Sequence, residues 1–103
     1  MLSGLYTILM QNDEEILIEL ASKSHPIFKA HFPTHPLLPG FTIIDIVAEI
    51  LNHKIIYIKQ SKFIGQLLPN DKLLCRFKHN ENQTTVTIFK NEKEMSKIIY
   101  ESK

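Results

Sequence analysis

The 103-residue chain has a single cysteine, no long apolar run and almost no net charge. Cys75 alone cannot form an internal disulfide, so no disulfide framework supports the fold. No segment approaches the roughly 20 apolar residues that span a bilayer. The N-terminal MLSGLYTILMQNDEE lacks both the basic start and the long apolar core of a signal peptide. We therefore expect a cytoplasmic protein with no membrane association.

A strong excess of one charge is also missing, because the formal net charge is +1 and acids and bases alternate along the chain. This pattern provides neither a nucleic-acid groove nor a basic membrane-binding face. The length predicts one domain, 1–103, which buries only about 60–70% of the surface of its unfolded chain. A substrate cavity would form most naturally where two copies meet, so we expect a homodimer or a higher homo-oligomer.

Alternating apolar residues and turn-rich segments divide most of the chain into strands. No internal repeat or linker-like segment interrupts this pattern. The predicted strands are Tyr6–Met10, Glu15–Ser22, Lys54–Gly65, Lys72–His79, Thr84–Lys90 and Glu94–Glu101. Between the second and third of them, FTIIDIVAEILNH (41–53) predicts a helix that is apolar over most of its circumference, with a polar stripe at Asp45, Glu49 and Asn52. This order predicts an α+β fold, in which an antiparallel sheet is wrapped around a central helix.

The segment HPIFKAHFPTHPLLPG (25–40) contains four of the five prolines and three of the five histidines. The histidines suggest a metal site, but Pro33 and Pro36 forbid a helix that would bring His31 and His35 together, and no cysteine is near. Nucleophilic catalysis is also disfavoured, because no Gly-x-Ser-x-Gly elbow is present and Cys75 lies in an apolar strand. We expect no metal, and acid–base chemistry is the remaining catalytic option.

That option needs a histidine and a carboxylate near one substrate. The proline-braced loop could hold His31 rigidly, Asp45 follows in the first turns of the helix, and free N–H groups around Gly40 could polarise a carbonyl oxygen. Structural roles remain open for each. His31 could be a hydrogen-bonded loop residue, Thr42 and Asp45 could form a capping box, and Glu49 could mark where the helix meets solvent or a partner.

The order of these residues resembles the signature of the FabA/FabZ-type 3-hydroxyacyl-acyl-carrier-protein dehydratases, which have the hotdog fold. The family pattern is Gly-His-Phe-Pro-Gly-x-Pro-x-x-Pro-Gly, followed by a helix with an acidic residue fourteen positions after the histidine. Here Asp45 stands fourteen positions after His31. A second segment, SKFIGQLLPNDKLLCRF (61–77), resembles the strand, Pro-Gly-Asp turn and strand of the same family. Ala30, Thr34 and Asn70 stand where the family has glycines.

The resemblance implies that His31 is the catalytic histidine, Asp45 its acidic partner from the other protomer, and Gly40 the backbone donor to the thioester carbonyl. The positions around them that would line a substrate pocket are Phe32, Pro39, Phe41 and Glu49. The implied reaction removes water from a (3R)-3-hydroxyacyl thioester to give a trans-2-enoyl thioester. No metal or organic cofactor is implied, because the acyl chain arrives on the phosphopantetheine arm of an acyl carrier protein.

Two other functions remain open. A hotdog thioesterase would use Asp45 or Glu49 to activate water. A non-catalytic subunit would bind the acyl carrier protein without turnover, and the replaced glycines Ala30 and Thr34 motivate that alternative.

Overall fold

Six strands and two helices make up the computed structural model, which describes residues 2–103. The strands form one antiparallel sheet in the order β1-β2-β4-β5-β6-β3. In chain order the elements are β1 Tyr6–Gln11, β2 Glu15–Leu20, α1 Pro26–Ala30, α2 Gly40–Leu51, β3 Ile55–Phe63, β4 Lys72–Asn80, β5 Gln83–Lys90 and β6 Lys93–Ser102. Every predicted strand is present, and the predicted helix is α2. The α1 helix was not predicted.

The core lies between α2 and one face of the sheet. Along β2 the buried side chains are Ile16, Ile18 and Leu20, which alternate with less buried ones because successive strand residues point to opposite faces. In α2 the buried apolar side chains Ile43, Ile46 and Val47 follow the helical period. Burying this face against the sheet supplies the apolar stabilisation of the domain.

One side of α2 remains uncovered in the single chain. Phe41 is 58% exposed, and Asp45 and Glu49 are also exposed. The sequence predicts a helix buried on nearly every side. The isolated chain therefore leaves apolar helix surface that a second chain could cover.

Cys75 has the structural role that the sequence indicates. Its side chain is fully buried in β4, and this burial raises the pKa of the thiol to about 12. Separately, none of the helices within residues 2–103 is long and apolar enough to cross a bilayer.

In the turn before β4, Asn70 stands where the family pattern has glycine, and its backbone conformation explains why asparagine fits there. Asn70 has φ of 67°, in the left-handed region that glycine and asparagine tolerate. The Asp71 carboxylate then accepts the Leu68 backbone N–H at 2.7 Å and contacts the Lys90 ammonium at 2.8 Å. The turn is thus held by its own side chain and by β5.

Candidate active site

His31 lies at the C-terminal end of α1, the short helix within the proline-rich segment. Pro26 occupies the start of this helix, where its missing N–H costs nothing. The helix ends at Ala30, and His31 is the C-cap residue, whose backbone N–H donates to the Ile27 carbonyl at 3.1 Å. After a turn in which Phe32 and His35 exchange backbone hydrogen bonds, the Leu37 N–H returns to the His31 carbonyl at 2.7 Å. The backbone of His31 is therefore fixed from both sides.

The imidazole of His31 is oriented by the backbone carbonyl of Ile27. Its Nδ1 lies 3.3 Å from the Ile27 oxygen. A carbonyl oxygen only accepts, so Nδ1 is the donor, and in the neutral ring Nε2 then keeps a free lone pair. This is the protonation pattern that a general base requires.

A cavity of about 630 Å³ adjoins His31. It is lined by Ser3, His25, Pro26, Ile27, Ala30 and His31. The lining combines one face of α1 with the N-terminal segment. The histidine is thus half-buried beside a space that a substrate could enter.

The N-terminus of α2 is free of side-chain caps. Pro39 is the N-cap residue, with no side-chain hydrogen bond, and it is buried. Gly40 follows as the first helical residue, whose N–H has no carbonyl one turn behind it. The Phe63 ring lies close, since a Cβ built on Gly40 would be 3.1 Å from it. A free N–H in this position suits a developing oxyanion.

The capping-box interpretation of Thr42 and Asp45 is wrong. The helix begins at Gly40, so Thr42 is inside the first turn, fully buried, and its hydroxyl has no hydrogen-bond partner. Asp45 lies one turn further and is exposed. Its carboxylate is therefore not used to cap the helix.

Among residues 2–103 of one chain, no hydrogen bond or ion pair joins His31 to Asp45. The ring of His31 bonds to Ile27, and Asp45 points outward from the exposed side of α2. Glu49 accepts a hydrogen bond from the Tyr6 hydroxyl. This pair lines a second cavity of about 700 Å³, with Leu2, Ser3, Gly4 and Ile8. Burial, followed by the bond to Glu49 and the charge of its carboxylate, raises the pKa of Tyr6.

Two further residues that the resemblance places in a substrate pocket, Phe32 and Phe41, are exposed, at 53% and 58%.

The two residues that replace family glycines next to His31 do not strain the backbone. Ala30 is helical, and Thr34 does not have a positive φ. Thr34 lines a separate cavity with Lys23 and Lys29, on a different face of α1 from the cavity at His31. Its side chain therefore does not narrow that cavity.

No cluster of three potential metal ligands is found among residues 2–103. The contacts of two residues near the site were not predicted from the sequence, although His25 was interpreted there as a turn residue. His25 caps α1, and the signal was available in Pro26 at the first helical position. Tyr6 meets Glu49 from 43 residues away, and nothing local in the sequence indicates that contact.

The chain belongs to the ApeI-like dehydratase family, because the family model for ApeI dehydratase matches residues 9–102. Among curated relatives, the 3-hydroxyacyl-[acyl-carrier-protein] dehydratase FabZ of Streptococcus agalactiae is 25% identical over 92 residues, 77% of this chain and 66% of the relative. FabZ of Oceanobacillus iheyensis is 31% identical over 71 residues, 68% of this chain and 49% of the relative. The chain spans less than two thirds of the length of both.

Two solved structures share the fold. The dehydratase heterocomplex ApeI:P from Xenorhabdus doucetiae matches with a TM-score of 0.81 at 23% identity, covering 94% of this chain and 96% of that chain. An uncharacterised protein from Erwinia carotovora matches with a TM-score of 0.67 at 21% identity, covering 96% of each. The predicted hotdog architecture and the predicted dehydratase family are both confirmed.

Proposed function

We propose that the protein is a hydro-lyase that converts (3R)-3-hydroxyacyl thioesters into trans-2-enoyl thioesters. The observation that carries this proposal is the fixed tautomer of His31, whose Nδ1–H is bound to the Ile27 carbonyl beside a cavity. Family membership gives the reaction class. The residues of this chain then supply each step.

In the proposed reaction, Nε2 of His31 removes the C2 proton of the substrate. The N–H of Gly40 hydrogen-bonds to the thioester oxygen and stabilises the charge that develops there. The C2–C3 double bond forms as the C3–O bond breaks, and Asp45 gives a proton to the departing hydroxyl, which leaves as water. His31 and Asp45 then return to their starting protonation by proton exchange with solvent. No net oxidation or reduction takes place, so we propose that no metal or organic cofactor is needed.

We further propose that the site is completed by a second copy of the chain, which contributes Asp45. The β3 strand is at one edge of the sheet, and its outer edge is unpaired within the chain. It exposes Ile56, Tyr57 and Ile58 at 60%, 60% and 41%. Pairing of two β3 edges would cover this apolar surface and place the exposed Asp45 of one chain opposite the other.

The proposed substrate carrier is an acyl carrier protein, which is acidic. Between Glu19 and Asp45 the chain has no carboxylate, while Lys23 and Lys29 are exposed there. Lys23 and Lys29 line the cavity on a different face of α1 from the cavity at His31. Charge complementarity would hold an acidic carrier on that face, next to the helix that ends at His31. Since the substrate is delivered by such a carrier, the cytoplasm remains our proposal for the location.

The test is hydration of a crotonyl thioester, followed as loss of its conjugated absorbance. His31→Ala and Asp45→Asn should each be inactive as pure proteins. Mixing them under subunit exchange should restore about a quarter of wild-type activity, because half of the dimers are mixed and one of their two sites is intact. Wild-type protein that hydrates neither carrier-linked nor small thioesters contradicts the proposed activity. Activity without recovery on mixing contradicts the shared site.

The same assay separates the two other functions. Release of free thiol without hydration would show a thioesterase. Carrier binding without turnover, unaffected by His31→Ala, would show a non-catalytic subunit. Substituting Lys23→Glu should raise KM for the carrier-linked substrate only, whereas Lys78→Glu, on an exposed position of β4, should change neither KM.

A further inference from the structure

His25 connects the N-terminal segment to the start of α1 through both ring nitrogens. Its Nε2 lies 2.9 Å from the Ser3 carbonyl oxygen, and its Nδ1 lies 3.1 Å from the Ile27 backbone nitrogen. The carbonyl can only accept and the backbone N–H can only donate, so Nε2 carries the proton and Nδ1 accepts. The ring therefore has one orientation and one tautomer.

His25 and His31 both form hydrogen bonds with Ile27. Ile27 gives its N–H to His25, and its carbonyl receives both the backbone N–H and the Nδ1–H of His31, at 3.1 and 3.3 Å. The Ile27 side chain is itself buried. Hydrogen bonds thus run without interruption from Ser3 through His25 and Ile27 to the imidazole of His31.

The short length of α1 makes this connection matter. A helix of five residues is not stable by its own hydrogen bonds, so its geometry depends on the groups that cap it. His25 is the N-cap and His31 the C-cap of this single turn. The first cap is therefore one of the groups that fix the carbonyl on which the second depends.

We propose that His25 is a positioning residue for His31, acting through Ile27 to keep Nδ1 as the hydrogen-bond donor and to fix the ring beside the cavity. The proposal rests on the proposed function, in which His31 is the base. His25 does not touch the reacting atoms. It acts by restricting where Nε2 can lie, and a displacement of about 1 Å can reduce a rate by about 100-fold.

Two substitutions separate the two bonds of His25. In His25→Asn, the amide oxygen occupies the place of Nδ1 and can still accept the Ile27 N–H, but the side chain is too short to reach Ser3. In His25→Gln, the amide nitrogen reaches the place of Nε2 and can donate to Ser3, but nothing accepts the Ile27 N–H. His25→Ala removes both bonds. The three variants therefore form a matched set.

We expect His25→Ala and His25→Gln to lower kcat by about 10- to 100-fold with KM within about twofold, because substrate binding groups are untouched. His25→Asn should keep kcat within about threefold of wild type. The control is His79→Ala, which removes a histidine hydrogen bond of 3.1 Å on β4 and should leave kcat unchanged. Equal kcat for wild type and folded His25→Gln, or a folded His25→Asn as slow as His25→Gln, would overturn the proposal.

A second measurement does not depend on activity. Long-range proton–nitrogen correlation spectra of the imidazole rings should show His31 protonated at Nδ1 in wild type and in His25→Asn, and a mixture of tautomers in His25→Gln. An unchanged Nδ1–H signal of His31 in His25→Gln would overturn the proposal. If His31→Ala proves fully active, the proposed function fails, while these spectra still decide whether His25 positions His31.

Discussion

The two ends of helix α2 each lie near histidines, yet their surroundings differ. At the N-terminal end, Pro39 provides no side-chain cap and the Gly40 N–H is free, while His31 adjoins a cavity. At the C-terminal end, Asn52 in the left-handed conformation donates its N–H to the Ala48 and Glu49 carbonyls. One end is open, with a free N–H, and the other is closed by its own backbone.

The histidine at the closed end is used differently. The Nδ1 of His53 shares a hydrogen bond of 2.7 Å with the hydroxyl of Tyr100, which is fully buried. The His79 ring lies edge-on to His53, with centroids 5.8 Å apart. Desolvation, and secondarily the charge of His79, lowers the pKa of His53. His31 thus lines a cavity and precedes the free N-terminus of α2 by nine residues, whereas the His53 ring is held by Tyr100.

The largest expected effect on kcat is the difference between substituting His31 and substituting His53. His31→Ala should lower kcat by about 1,000-fold, since a positioned general base contributes about 10²- to 10⁴-fold. His53→Ala should keep kcat within about threefold. The measurement is crotonyl-thioester hydration, with oligomeric state checked for both variants. An inactive but folded His53→Ala protein would contradict the difference between the two ends of α2, because the closed end would then take part in catalysis.

A smaller effect is expected from Gly40→Ala at the open end. The new Cβ would lie 3.1 Å from the Phe63 ring, which must shift by a few tenths of an ångström next to the Gly40 N–H. We expect kcat/KM to fall by about tenfold with little loss of stability. The added substitution Phe63→Leu should recover most of the loss. A Gly40→Ala protein as active as wild type would show that this N–H tolerates crowding.

The free energy of unfolding should depend on the hydrogen bond between Tyr100 and His53, at the closed end of α2. Tyr100→Phe removes a buried hydroxyl that bonds to His53, which should lower the free energy of unfolding by about 1 kcal/mol. Activity should not change. Urea unfolding checks this expectation, with Thr34→Val as the control because it removes an exposed hydroxyl. An equal loss in both variants would contradict a special role for the Tyr100 hydroxyl.

The smallest effect is a dependence of stability on pH. The folded state lowers the pKa of His53 below its ordinary value of 6.5, so the unfolded chain binds more protons in that range. Stability should therefore be complete above about pH 6.5 and decrease as the pH falls through 6.5 toward the folded-state pKa. The urea midpoint of wild type should fall more steeply across this window than that of His53→Gln. Urea midpoints that fall equally with pH in both proteins would exclude His53 as the source of the pH dependence.

Much of the fold follows from local patterns. The alternation in Glu15–Leu20 and the helical period in Gly40–Leu51 each reflect which face of an element is buried, and this is encoded in neighbouring residues. The spacing from His31 to Asp45 likewise indicated the family. The α1 helix was not predicted, because a single turn between prolines has too few residues to show a period. The start of α2 was also mistaken in the capping-box alternative, since Thr42 is held inside the helix by burial rather than by its hydroxyl.

The sequence by itself therefore determined the order of the six strands and the long helix, the family signature and the residue types available for acid–base chemistry. Only the tertiary structure decided what those residues do. It assigned the tautomer of His31 through the Ile27 carbonyl, joined His25 to Ser3 across 22 positions, and placed Tyr6 against Glu49 across 43. The physical reason is that periodicity reports which face of an element is buried, whereas a hydrogen-bond partner distant in sequence is chosen only when the chain is packed.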